Sequence, residues 1–166
     1  MKQLYLVGFM GCGKSTLAKR IAKKNSVPMI STDQFISDLE ELTIAKIFEI
    51  KGEDYFRQRE LQLVKKILES DFSGIVECGG AIGARAEITD LIEAKQNALK
   101  VFLDTERETC ISRVENSPKR PLAKSRDFLE KLYDSRREEY LRSAQLLDGK
   151  LSNDSKEDRL IGLLGL

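Results

Sequence analysis

The sequence predicts an α/β fold: a three-layer, doubly wound architecture on a five-stranded parallel sheet. Three observations predict it. Short β-like runs alternate with helical patterns along the chain, which is the order in which crossover helices wind a parallel sheet. The first apolar run, Leu4-Tyr5-Leu6-Val7, ends in a glycine-rich loop that opens a helix. Leu61, Val64, Ile67 and Leu68 recur at helical spacing and give one long segment an apolar face.

The elements follow in order. Strand 3–8 is a short apolar run into the glycine loop, and helix 14–24 opens from that loop. Strand 28–32 runs into Ser31-Thr32-Asp33, and helices 33–39, 43–51 and 54–70 lead to strand 74–78, which stops at Cys78-Gly79-Gly80. Helix 84–95, strand 99–103 and helix 106–115 continue the alternation. Segment 116–124 carries Pro118 and Pro121 among Lys119, Arg120 and Lys124, so it is no ordinary helix, and its charge keeps it solvated. Beside a phosphate site, such a stretch reads as a short mobile lid, spanning about 113–125. Helix 126–142, strand 145–151 and helix 156–163 complete the pattern. The 166 residues are expected to form a single domain, 1–166, with the helical segment 33–62 carrying substrate groups.

Composition narrows the chemistry. Lys and Arg number 28 against 27 Asp and Glu, so no net charge pulls the chain toward nucleic acid or a membrane surface. No apolar run is long enough to span a bilayer, and the N-terminal strand reads as structural, not as a cleavable signal. Cys12, Cys78 and Cys110 have neither metal nor redox spacing, which fits a reducing cytoplasm. Histidine is absent, which excludes imidazole catalysis and histidine-bound metals.

Gly8-Phe9-Met10-Gly11-Cys12-Gly13-Lys14-Ser15-Thr16 fills every fixed position of the phosphate-binding loop. Its glycines free backbone N–H groups to converge on phosphate oxygens, and the following helix adds its positive end. Gly11, Cys12, Gly13, Lys14, Ser15 and Thr16 are therefore candidate nucleotide-binding residues, with Lys14 reaching the outer phosphates and the Ser15 hydroxyl placed to ligate Mg²⁺. Cys12 packs there as a small side chain.

The acceptor must be read elsewhere. Asp33, after the second strand, can orient an acceptor hydroxyl or cap the next helix. Arg57 can aim its planar fork at a carboxylate, whereas Arg59 reads as a solvated helix arginine. Gly79 and Gly80 either admit a ligand close to the backbone or make a tight turn.

With these segments in place the chain resembles the shikimate kinases over nearly its whole length. The phosphate loop is similar to that family's G-F-M-G-x-G-K-S-T, and Gly52-Glu53-x-x-Phe56-Arg57-x-x-Glu60 to its G-E-x-x-F-R-x-x-E. Arg120-Pro121-Leu122 is similar to its lid R-P-L, and Arg136 with Tyr140 to its late R-x-x-x-Y. The resemblance implies a P-loop, nucleoside-kinase-like fold and phosphoryl transfer from ATP, with Mg²⁺, to the 3-hydroxyl of shikimate by a cytoplasmic monomer. It implies that Asp33 holds the acceptor hydroxyl and that Arg57 and Arg136 clamp the carboxylate. Gly79 and Gly80 would meet substrate, Lys14 and Arg120 would stabilise the transferring group, and Arg113 would lie near the adenine.

The chain departs from the family at two places. The second strand ends Ser31-Thr32-Asp33 where the family has D-x-D, and the glycine triplet reads Cys78-Gly79-Gly80, preceded by Glu77 where a small hydroxyl residue is common. Two readings stay open: a serine hydroxyl and waters complete the metal shell, or Glu77 supplies the lost acidic charge. The runner-up functions are another small-molecule kinase, for gluconate or a nucleoside monophosphate, and a nucleotide-binding relative with little catalysis.

Overall fold

The structure, a computed structural model, describes residues 2–115 and 125–166. Five strands, β1 (Gln3–Val7), β2 (Met29–Ser31), β3 (Gly74–Glu77), β4 (Ala98–Asp104) and β5 (Gln145–Asp148), form one sheet in the order β2-β3-β1-β4-β5. Every pairing is parallel. The helices are α1 (Lys14–Asn25), α2 (Thr32–Glu40), α3 (Ile44–Lys51), α4 (Glu53–Glu69), α5 (Ala86–Glu93), α6 (Arg107–Glu115), α7 (Arg126–Leu141) and α8 (Asn153–Leu164).

Central strand β1 is buried along its length, as expected of a parallel strand covered on both faces. Its two polar side chains are satisfied inside: the Tyr5 hydroxyl donates to Gln3 Oε1 at 2.9 Å, and Gln3 Nε2 donates to the Ile67 carbonyl at 2.8 Å. On α4 the buried face comprises Phe56, Leu63, Val64, Ile67 and Leu68, together with one acid, Glu60. Leu61 packs at the edge of that face, half-buried.

Among the boundaries that differ from the sequence reading, three have a clear local reason. Strand β5 stops at Asp148 because Gly149 N turns back to the Asp104 carbonyl at 2.8 Å. Helix α8 begins at Asn153 because the Ser152 hydroxyl caps it, accepting from Ser155 N at 3.1 Å. A 3-10 turn, Ile82–Ala84, precedes α5 and delays its start to Ala86.

Topology locates the crevice. The chain leaving β1 crosses to β2 on one side, and the chain leaving the adjacent β3 crosses to β4 on the other. Their loops diverge at the carboxyl ends of the strands, where open α/β sheets bind ligands.

Candidate active site

The loop between β1 and α1 takes its shape from glycine. Gly11 and Gly13 adopt φ of 80° and 104°, and a methyl group at Gly11 would lie 2.6 Å from the Cys110 carbonyl oxygen. Gly13 is the N-cap of α1 and supplies no side-chain cap. The helix start therefore keeps N–H donors for an anion. Lys14 is buried, with Nζ donating to the carbonyls of Gly8 at 2.8 Å and Phe9 at 3.1 Å. Two bonds brace the loop from the far side, and a third holds one of the braces. Thr105 Oγ1 donates to the Cys12 carbonyl at 3.0 Å, Arg113 Nη1 to the Gly11 carbonyl at 3.0 Å, and the Tyr133 hydroxyl to the Thr105 carbonyl at 2.9 Å. In front of the loop lies a cavity of about 730 Å³, bounded by residues 10–17, Asp33, Glu77, Gly79, Gly80, Arg113, Asn153 and Lys156.

At one wall of this cavity a carboxylate joins two serines. Ser15 Oγ donates to Glu77 Oε1 at 2.9 Å, and Ser31 Oγ donates to Glu77 Oε2 at 2.6 Å. Ser31 and Glu77 are direct neighbours in the β2–β3 register. Because its hydroxyl serves Glu77, Ser31 at the N-cap of α2 makes no capping bond. Asp33 sits in the first turn of that helix.

The adjoining wall gathers the acceptor candidates. Thr32 Oγ1 accepts from Gly79 N at 2.9 Å and so ties the end of β3 to α2. A methyl group at Gly79 would overlap Asp33 Oδ1 and come within 3.1 Å of Glu60 Oε1. Asp33, Glu60 and the Gly79 backbone thus meet at one point. Glu60 is buried beneath Arg57, whose Nη1 donates to Glu60 Oε2 at 2.8 Å. The other oxygen, Oε1, has no partner among the described residues. Burial pushes the Glu60 carboxyl up, against the pull of Arg57. Arg57 also pairs with Glu53 at 2.7 Å and packs 5.7 Å and 5.5 Å from the ring centres of Phe48 and Phe56. On α7, Arg136 Nη1 would lie 3.7 Å from a methyl group at Gly80, and the Tyr140 hydroxyl donates to the Gly80 carbonyl.

The structure therefore brings Gly11, Cys12, Gly13, Lys14, Ser15, Thr16, Asp33, Gly79, Gly80 and Arg113 onto one cavity. Arg57 reaches the site through Glu60, and Arg136 through Gly80. Arg120 and the segment 116–124 lie outside the described residues. Burial pushes the Cys78 thiol well up and the Cys110 thiol up to about 12, so both are neutral packing groups at ordinary pH. Sequence reasoning missed Thr32, Thr105, Asn153, Lys156 and the inward position of Glu60. Only Glu60 carried a signal, three residues after Arg57 on the same helical face.

A family model described as "Shikimate kinase" matches residues 10–159. The chain belongs to the shikimate kinase family. A shikimate kinase from Persephonella marina is 36% identical over 157 residues, covering 94% of this chain and 92% of the relative. The solved structure of a shikimate kinase from Acinetobacter baumannii in complex with shikimate superposes with a TM-score of 0.83 at 26% identity, covering 99% of this chain and 94% of that one. A gluconokinase from Sinorhizobium meliloti reaches a TM-score of 0.59 at 15% identity, covering 99% and 91%, which is a likeness of fold alone.

Proposed function

We propose that this member of the family transfers the γ-phosphoryl group of ATP to the 3-hydroxyl of shikimate, giving ADP and shikimate 3-phosphate. One observation carries the reading: Asp33, Gly79 and the Arg57–Glu60 pair converge at the carboxyl end of β3, against the phosphate loop. That is the layout needed to set an anionic polyol in line with a terminal phosphate.

In this reading the loop N–H groups and Lys14 hold the β- and γ-phosphates. Asp33 holds the acceptor hydroxyl and takes its proton as the oxygen bonds to the γ-phosphorus. The bond from that phosphorus to the β–γ bridging oxygen breaks, and ADP leaves. Arg57 and Arg136 fix the substrate carboxylate, and the Gly79 and Gly80 backbone shapes the floor. Arg113 lies beside the nucleotide, and Arg120 is assigned the role of neutralising the transferring group. Ser15 and Glu77 present the hard oxygen donors that suit Mg²⁺, and Ser15 would hold the ion, which neutralises phosphate charge when bound. Three free, buried thiols fit a cytoplasmic setting. Among the described residues no helix is long and apolar enough to cross a membrane. The enzyme is taken to act as a monomer on shikimate and ATP alone.

Coupled ADP release with shikimate, gluconate and nucleoside monophosphates tests the reading. Stimulation by shikimate alone is expected. Stimulation by another acceptor, or ATP binding with no stimulation by shikimate, would overturn it.

A further inference from the structure

We propose that Glu77 is the metal-positioning carboxylate of this chain, and that the acid normally carried by the second strand has moved one strand sideways. The inference rests on the nucleotide-binding reading above and deepens it. Four observations carry it. Glu77 is 7% exposed, and among the described residues its carboxylate is approached by two hydroxyls and by no guanidinium or ammonium close enough to form an ion pair. A charge so placed costs free energy unless something opposite binds there. It lines the same cavity as Lys14 and Ser15. Its Oε1 accepts the hydrogen bond that Ser15 Oγ donates, which leaves the serine lone pairs free for a cation. Two hydroxyls occupy about two of the roughly four lone-pair directions of a carboxylate, which leaves the others for metal-bound water.

The register explains why the change is tolerated. Ser31 and Glu77 face each other across β2 and β3, joined by the 2.6 Å bond. A carboxylate on one strand with a hydroxyl on the other can therefore be exchanged in either direction while the charge stays at the same wall. Here the acid is on β3 and the hydroxyl on β2. Glu77 acts through Ser15 and through the ion's water shell, so it is a positioning residue and not a catalytic one.

The test is a calorimetric titration of ADP, with Mg²⁺ and with EDTA, into the unmodified protein, Glu77→Gln, Glu77→Thr, Ser31→Asp and the double variant Ser31→Asp/Glu77→Thr. The readout is the ratio of the two ADP affinities. In Glu77→Gln and Glu77→Thr the Mg²⁺ enhancement should fall about tenfold or more, while metal-free ADP binds equally or more tightly because a negative charge beside the phosphates is gone. Ser31→Asp alone sets two carboxylates against each other and should lower stability. The double variant should restore the enhancement, a coupling that merely structural damage does not produce. An unchanged ratio in Glu77→Gln, an equal loss of both affinities, or no recovery in the double variant overturns the proposal. If the unmodified protein binds no ADP in either condition, the kinase reading itself falls, a result distinct from the other three.

Discussion

Replacing Arg57 with alanine separates what this arginine does for the fold from what it does for a substrate. In the structure its Nη1 lies 2.8 Å from Glu60 Oε2, with the Glu60 side chain 1% exposed and the arginine 19% exposed. Removing one partner of a buried pair costs about 3–5 kcal/mol. Two features reduce that figure here. Arg85 Nη1 stands 3.9 Å from the same Glu60 oxygen and offers partial compensation. The Glu60 carboxyl is already pushed up by burial, so protonation relieves part of the remaining penalty. A loss of about 2 kcal/mol follows, equivalent to roughly 4–8 °C in Tm for a domain of this size. The lost fork to a carboxylate should separately raise the shikimate KM about 10- to 100-fold. Thermal unfolding and steady-state kinetics of Arg57→Ala and Arg57→Ala/Glu60→Gln divide the two effects. The double variant should regain most of the stability and none of the affinity. Recovery of KM together with Tm would refute the substrate role of Arg57, and an unchanged Tm in the single variant would refute the buried-pair argument.

Three further outcomes are expected. Gly79→Ala should cut shikimate turnover about 100-fold or more through its clash with Asp33 while leaving calorimetric ADP binding intact. Tyr140→Phe, losing its bond to the Gly80 carbonyl, should cost about 1 kcal/mol in denaturant unfolding and raise the shikimate KM. Glu157, held by Asn25, Arg20 and Lys24, has its carboxyl drawn down to about 2. A lowered acid stabilises the fold above its unfolded value of 4.5, and that contribution is lost as pH falls toward 2. Between those limits the Tm of Glu157→Gln should fall less steeply with acid than that of the unmodified protein, and parallel curves would contradict the assignment.

The sheet was legible because β1, β3 and β4 are apolar enough to be buried on both faces, and because Gly11 and Gly13 mark a turn that other residues cannot make. Asp33 and Arg57 stood out as candidates, a carboxylate after a strand end and an arginine after a buried Phe56, and the structure brings both to the Gly79 turn, Arg57 through Glu60. What stayed hidden depends on three-dimensional proximity. The spacing of Glu60 from Arg57 hinted at a pair, but its inward position shows only when Gly79, 19 residues away along the chain, is brought against it. Thr105 and Lys156 reach the loop region from strands and helices far along the chain, and no spacing rule connects them to it. Ser31 read as a departure from the D-x-D pattern, and strand register is what reveals that its hydroxyl is turned toward Glu77.

The ammonium of Lys14 is already engaged by two carbonyl oxygens of its own loop. An incoming anion therefore trades places with those oxygens and does not simply add a new attraction. The net affinity gained from the lysine is a difference between two sets of contacts, so it is smaller than a bare charge would provide. In return, those contacts hold the loop in the curvature that a phosphate needs, so less ordering is left for binding to accomplish.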